Sequence, residues 1–136
     1  MSSIEQTLSI IKPDAVERNL DNEIKEIFKK NGFKILKEKK IKIEKSEAEQ
    51  FYKVHETKPF YNDLCSYLSS GPIVVMVLEK DNSVLANREL MGATNPRDAA
   101  EGTIRKKYGI SIDKNSVHGS DSVENAKIEI DFFFKE

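Results

Sequence analysis

The segment IVVMVL, Ile73 to Leu78, constrains this chain more than any other. Six apolar residues follow one another without the alternation that a strand with one wet face requires. Ser70-Gly71-Pro72 stops the chain just before the run, so it is too short and too sharply bounded for a helix. It reads as a strand buried on both faces. A chain of 136 residues built around it is expected to be one domain, residues 1–136. At that size about two-thirds of the unfolded surface is buried, enough for a core without staples.

The remaining elements follow from periodicity and stop signals. Leu8, Ile10 and Ile11, closed by Lys12-Pro13, predict a strand over Thr7 to Lys12. Leu20, Ile24, Ile27 and Phe28 fall on one helix face, and Asn31-Gly32 ends that helix. Phe33, Ile35, Ile41 and Ile43 sit among lysines, as on an exposed edge strand. Ser46 with Glu49 predicts a capping box opening a helix with Ala48, Phe51 and Tyr52. A second helix after Pro59 carries Tyr61, Leu64, Cys65 and Leu68. Val84, Arg88 and Met91 share a face of the next helix. A looser stretch with Gly92, Pro96, Gly102 and Gly109 follows. Ser116-Val117-His118 reads as a short last strand, and Asp121 with Glu124 as the cap of a last helix. The order predicts an α+β fold: a ferredoxin-like βαββαβ antiparallel sheet with helices on one face.

Composition excludes several classes. No apolar run approaches the roughly 18 residues of a membrane span, and the opening MSSIEQ lacks a signal-peptide pattern. Cys65 is the only cysteine, so no internal disulfide forms. These features predict a cytoplasmic protein. The net charge of −1 argues against a broad nucleic-acid surface. P-loop, dinucleotide and protein-kinase signatures are absent, as is a cysteine–histidine zinc cluster.

A few residues carry possible chemistry. His118 is one of two histidines and is followed at once by Gly119, which removes a side chain beside the imidazole. It precedes a helix N-terminus, where unpaired N–H groups favour anions. Glu129, about three turns along that helix, shares a face with Ser122 and Asn125 and can turn toward the histidine to orient the ring. The competing reading is a capped helix with a solvent histidine. Lys12 leaves a central strand and either snorkels to solvent or aims at a ligand. Arg88 on an otherwise apolar face sits at a rim or meets an anion. Arg105 follows Gly102-Thr103, a flexible approach suited to phosphate. Phe60 is either core or a plate for a flat base. Cys65 reads as a buried small hydrophobe, and His55 as decoration of a helix end.

TLSIIKPDAV, KPFY, RELMGATNP, EGTIR and NSVHGSDS, in this order and spacing, resemble nucleoside diphosphate kinases over essentially the whole chain. That family has a ferredoxin-like fold. The resemblance implies an enzyme that takes the terminal phosphoryl group of a nucleoside triphosphate, mainly ATP but also GTP, onto a histidine. The enzyme then passes it to a nucleoside or deoxynucleoside diphosphate, by ping-pong kinetics. It makes His118 the nucleophile, with Gly119 clearing room for phosphate and Ser120 and Glu129 holding the imidazole. Lys12 and Asn115 would meet the ribose, Lys12 also the moving phosphate, with Tyr52 supporting Lys12. Arg88, Thr94 and Arg105 would hold phosphates. Phe60 would stack on the base, with Leu64 and Ile112 also at the nucleotide. Mg²⁺ would bridge the phosphates, with Asp121 reaching it through water.

The resemblance further implies a homo-oligomer, hexamer or tetramer. Asp21-Asn22 stands where relatives commonly have glycine, which predicts a small shift away from the site. Three other readings differ in class: a catalytically dead scaffold, a phosphohistidine relay to protein, and a nucleic-acid-binding regulator. The scaffold would lack a matched residue, and none is missing. The relay does not need a full nucleotide pocket. The charge balance gives the regulator no support.

Overall fold

The computed structural model describes residues 4–110 and 114–134. Four strands, β1 (Ile4–Ile11), β2 (Lys34–Ile41), β3 (Ile73–Asp81) and β4 (Val117–Gly119), form one antiparallel sheet in the order β2-β3-β1-β4. This is the expected ferredoxin-like order. β3, the IVVMVL strand, lies inside the sheet with every residue of that run buried. β2 is an outer strand and mostly exposed, as its lysines predict.

The helices are α1 (Pro13–Glu17), α2 (Asp21–Lys30), α3 (Lys45–Phe51), α4 (Tyr61–Leu68), α5 (Ser83–Met91), α6 (Ile104–Tyr108) and α7 (Val123–Phe134). Side-chain alternation divides the core. Val74, Met76 and Leu78 of β3 meet α2 and α5 through Ile24, Phe28 and Met91. Leu8, Ile10 and Val75 meet α3, α4 and α7 through Ala48, Leu68 and Phe133. The two crossover helices of the βαββαβ plan thus lie on one face, but the expectation of helices on one face alone does not hold. The helices outside that plan, α3, α4 and α7, cover the other. A strand apolar at every position demands this second layer, since each aliphatic side chain removed from water contributes about 1.5–3 kcal/mol. No described helix is long and apolar enough to cross a membrane.

Several local expectations shift. β1 starts at Ile4, because Ile4 to Gln6 pair through the backbone with Asp81 to Glu79 and need no apolar pattern. The capping box sits two residues early: Glu44 is the N-cap and its N–H donates to Glu47 Oε1 (3.1 Å), which leaves Ser46 inside α3. Ser122, not Asp121, caps α7, accepting from the Asn125 N–H at 3.1 Å. The looser stretch contains α6, capped by Thr103 Oγ1 accepting from the Lys106 N–H.

Candidate active site

The end of β1, the strand β4 and the ends of α3, α5 and α6 enclose a cleft of about 540 Å³. A larger hollow, about 890 Å³, lies against β2, α3 and the end of α7, and no predicted site residue lines it. The smaller cleft gathers the predicted residues. Of the predicted site residues in the described range, all but Ser120 and Glu129 line it; those two stand behind the imidazole. Ile112 lies outside the described residues.

Pairing of Ile10 with His118 across the ladder brings the histidine to the sheet end where Lys12 leaves β1. Ser116 adopts a left-handed conformation (φ 74°), unusual for a residue with a side chain, and is held there by a buried network. Its hydroxyl donates to Asp14 Oδ2 (3.2 Å), and its carbonyl accepts from the Lys12 N–H (2.8 Å). Asp14 also accepts from Arg18 and Tyr67. This turn aims Asn115 back at Lys12, whose ammonium donates to Asn115 Oδ1 at 2.9 Å. The Asn115 amide donates in turn to the Thr94 carbonyl (3.0 Å). Lys12 is only 6% exposed, so it does not snorkel to solvent.

Glu129 reaches the histidine from α7. Its Oε1 lies 3.1 Å from His118 Nε2 and accepts the Ser120 hydroxyl at 2.9 Å. Ser120 is itself pinned by the Leu8 N–H. A carboxylate can only accept here, so Nε2 carries the proton, and in the neutral tautomer the lone pair is on Nδ1. Phe51 and Tyr52 meet the imidazole edge-on, with ring centroids at 5.4 and 6.4 Å. The solvent-histidine reading therefore fails. Burial, first, and the charge of Glu129 push the Tyr52 phenol far above its usual pKa, so it stays a protonated donor.

Arg105 is buried. Its guanidinium donates to the Gly92 carbonyl (3.0 Å) and the Val117 carbonyl (2.9 Å), tying the end of α5 to β4. Burial, then the positive charge of Arg88, lowers its pKa to about 10. Arg88 itself is exposed at the rim. Phe60 is the N-cap residue of α4 and is 46% exposed, so it is not core. Asp121 borders the cleft, its Oδ1 accepting from the Asn125 amide at 2.6 Å. Asp21 and Asn22 open α2 and take no part in the cleft.

Two features escaped sequence reasoning. His55 lines the cleft, its ring 6.1 Å from that of Phe60, because a 3-10 turn (Lys53–His55) folds it inward. No periodicity marks such a turn. Gly119 borders the cleft, but a Cβ there would lie 2.3 Å from Asn87 Nδ2 and 2.7 Å from Met91 Cε. Close approach of α5 to β4 demands this glycine in the first place.

The family model described as nucleoside diphosphate kinase matches residues 5–136. The chain belongs to the nucleoside diphosphate kinase family. A nucleoside diphosphate kinase of Persephonella marina is 54% identical over 97% of this chain and 94% of its own length. One of Campylobacter lari is 58% identical, with 96% of each chain covered. Among solved structures, the Aquifex aeolicus nucleoside diphosphate kinase superposes with a TM-score of 0.95 at 38% identity, covering 98% of this chain and 96% of that one. Family membership and fold agree with the antiparallel α+β sheet described above.

Proposed function

We propose that this member of the family moves the terminal phosphoryl group of a nucleoside triphosphate, mainly ATP, to a nucleoside or deoxynucleoside diphosphate through a phosphohistidine on His118. The arrangement that carries this reading is Glu129 on Nε2 of a histidine whose other nitrogen is left for a cleft bordered by Lys12, Arg88 and Arg105. In the first half-reaction the Nδ1 lone pair attacks the γ-phosphorus. A P–N bond forms, the bond to the β-γ bridging oxygen breaks, and the diphosphate leaves with that electron pair. In the second, a terminal oxygen of the acceptor diphosphate attacks the same phosphorus and the P–N bond breaks. Glu129 stabilises the positive charge that develops on the ring, and Ser120 holds Glu129.

Phosphoryl transfer depends mainly on positioning and charge neutralisation. Arg88, Arg105 and Lys12 supply fixed positive charge, while Lys12 and Asn115 reach the ribose. Phe60 offers a flat face that reads no base edge, so several bases pass.

Among the described residues no group of three or more histidine, cysteine or acidic side chains converges on a metal position. The chain offers single carboxylates, which suits Mg²⁺: that ion keeps its waters and takes substrate phosphates with few protein ligands. Asp121 would hold it through water, where it would neutralise phosphate charge. The working form is proposed to be a single-domain subunit of a cytoplasmic homo-oligomer.

Mixing the protein with labelled ATP, Mg²⁺ and a second nucleoside diphosphate tests this reading. Label should pass to the new triphosphate, and brief incubation without acceptor should leave acid-labile, base-stable label on the protein. Acid-stable label would move the nucleophile to serine or threonine.

A further inference from the structure

Six buried side-chain nitrogen or oxygen atoms find no hydrogen-bond partner among the described residues, and five of them belong to Thr7, Ser9, Ser83 and Asn87. All four residues are completely buried. Their placement is not scattered. Thr7 and Ser9 lie two apart on β1 and point to the face that α5 covers; Ser9 pairs directly with Gly119 of β4. Ser83 and Asn87 lie four apart on the buried face of α5. The Val84 N–H contacts Glu5 Oε1 (3.4 Å), which sets the start of the helix near the start of the strand. Ser83 is thereby brought toward Thr7, and Asn87 toward Ser9 and Gly119. Four helical residues rise about 6 Å and two strand residues about 6.8 Å, so the two polar pairs stay in step.

An apolar seam would pack this helix on this sheet, as Met91, Met76 and Ile11 do farther along. Buried polar atoms without partners are costly and rare, and a cluster of them calls for a shared partner. Asparagine offers two donors and an acceptor with two lone pairs, and each hydroxyl offers both roles. Buried waters typically make about three such bonds.

We propose that this seam is an internal water-binding site, in which ordered water bridges the Asn87 amide to the hydroxyls of Thr7, Ser9 and Ser83. Asn87 is thereby a positioning residue. It braces Gly119, against which its amide already packs, and so fixes β4 relative to α5. β4 carries His118 and α5 carries Arg88, the next residue after Asn87. The seam thus sets the spacing between the nucleophile and a phosphate-holding cation. This second part rests on the reading of His118 as nucleophile.

Two experiments decide the matter. A crystal structure of the full protein at about 1.2 Å should show water within hydrogen-bond distance of both the Asn87 amide and at least one of the three hydroxyls. A dry seam overturns the water site. Asn87→Ala and Asn87→Leu should lower kcat of nucleotide exchange about tenfold or more while KM for both nucleotides stays within about twofold, the pattern of lost alignment and not of lost binding. Asn87→Ser, which keeps a polar group and admits water, should recover kcat to within about threefold of wild type. Wild-type kcat in Asn87→Ala overturns the positioning role, and the alanine and serine variants decide it even where the leucine does not fold. If wild-type protein carries no label on His118, the nucleophile reading falls instead, and the water site is still judged by diffraction.

Discussion

Arg105→Ala should damage the protein in two separable ways. The guanidinium donates to the carbonyls of Gly92 and Val117, and it borders the cleft where phosphates are proposed to sit. Truncation orphans both carbonyls, that of Val117 in a buried place and that of Gly92 in a part-buried one. Each such orphan costs about 1–3 kcal/mol, and partial access of water to the new space favours the low end, so about 2–4 kcal/mol of stability is lost. For a chain of this length that corresponds to roughly 8–16 °C in Tm. Loss of a charge-assisted phosphate contact removes a further ~1.5–3 kcal/mol from the transition state, or one to two decades in kcat/KM. Arg88→Ala should show the kinetic loss alone, because Arg88 is exposed and exposed substitutions typically stay within about 0.5 kcal/mol. Arg105→Lys should recover little, since one ammonium cannot reproduce the fork that spans α5 and β4. Calorimetry and steady-state exchange kinetics on the three variants measure both effects. A wild-type Tm for Arg105→Ala would refute the structural half, and wild-type kinetics in both alanine variants would refute the phosphate half.

His118→Gln should abolish exchange and phosphoenzyme labelling while leaving the circular dichroism unchanged; a tenth of wild-type turnover would sink the assignment. Glu129→Gln keeps an acceptor for Nε2–H but removes the charge that stabilises the ring as it becomes positive, so kcat should fall about ten- to a hundredfold, read in single-turnover labelling. Phe60→Ala should raise KM for nucleotides more than it lowers kcat, and the wild type should accept purine and pyrimidine diphosphates alike; strict use of one base contradicts the stacking role. Arg105 must be charged to hold phosphate, and its lowered pKa of about 10 means that charge is lost as pH rises through that value. The kcat/KM profile of the wild type should therefore fall on its alkaline side near pH 10, and Arg105→Ala should lose that limb. A limb that persists in the variant assigns it to another cation of the cleft.

Much of this protein was legible before folding because the information is local or periodic. IVVMVL announced an interior strand, the lysines announced β2 as an edge, and Asn31-Gly32 ended α2 where the chain takes a positive φ. The family segments named the cleft residues one by one, and the structure gathers those in the described range into one place. Tertiary structure alone decided how they work. Which imidazole nitrogen is free depends on Glu129 arriving from another element. The bracing of α5 against β4 by Arg105 depends on two carbonyls 13 and 12 residues away, and the turn of Lys53–His55 brings in a histidine that no pattern flagged. The helix face predicted from Val84, Arg88 and Met91 left Arg88 either at a rim or against an anion; packing puts it at the rim and buries Ser83 and Asn87, which no pattern had placed on that face. Periodicity reports which residues share a face, but only the partner surface determines how that face is rotated. Here the close contact of Asn87 with Gly119 shows where that rotation comes to rest.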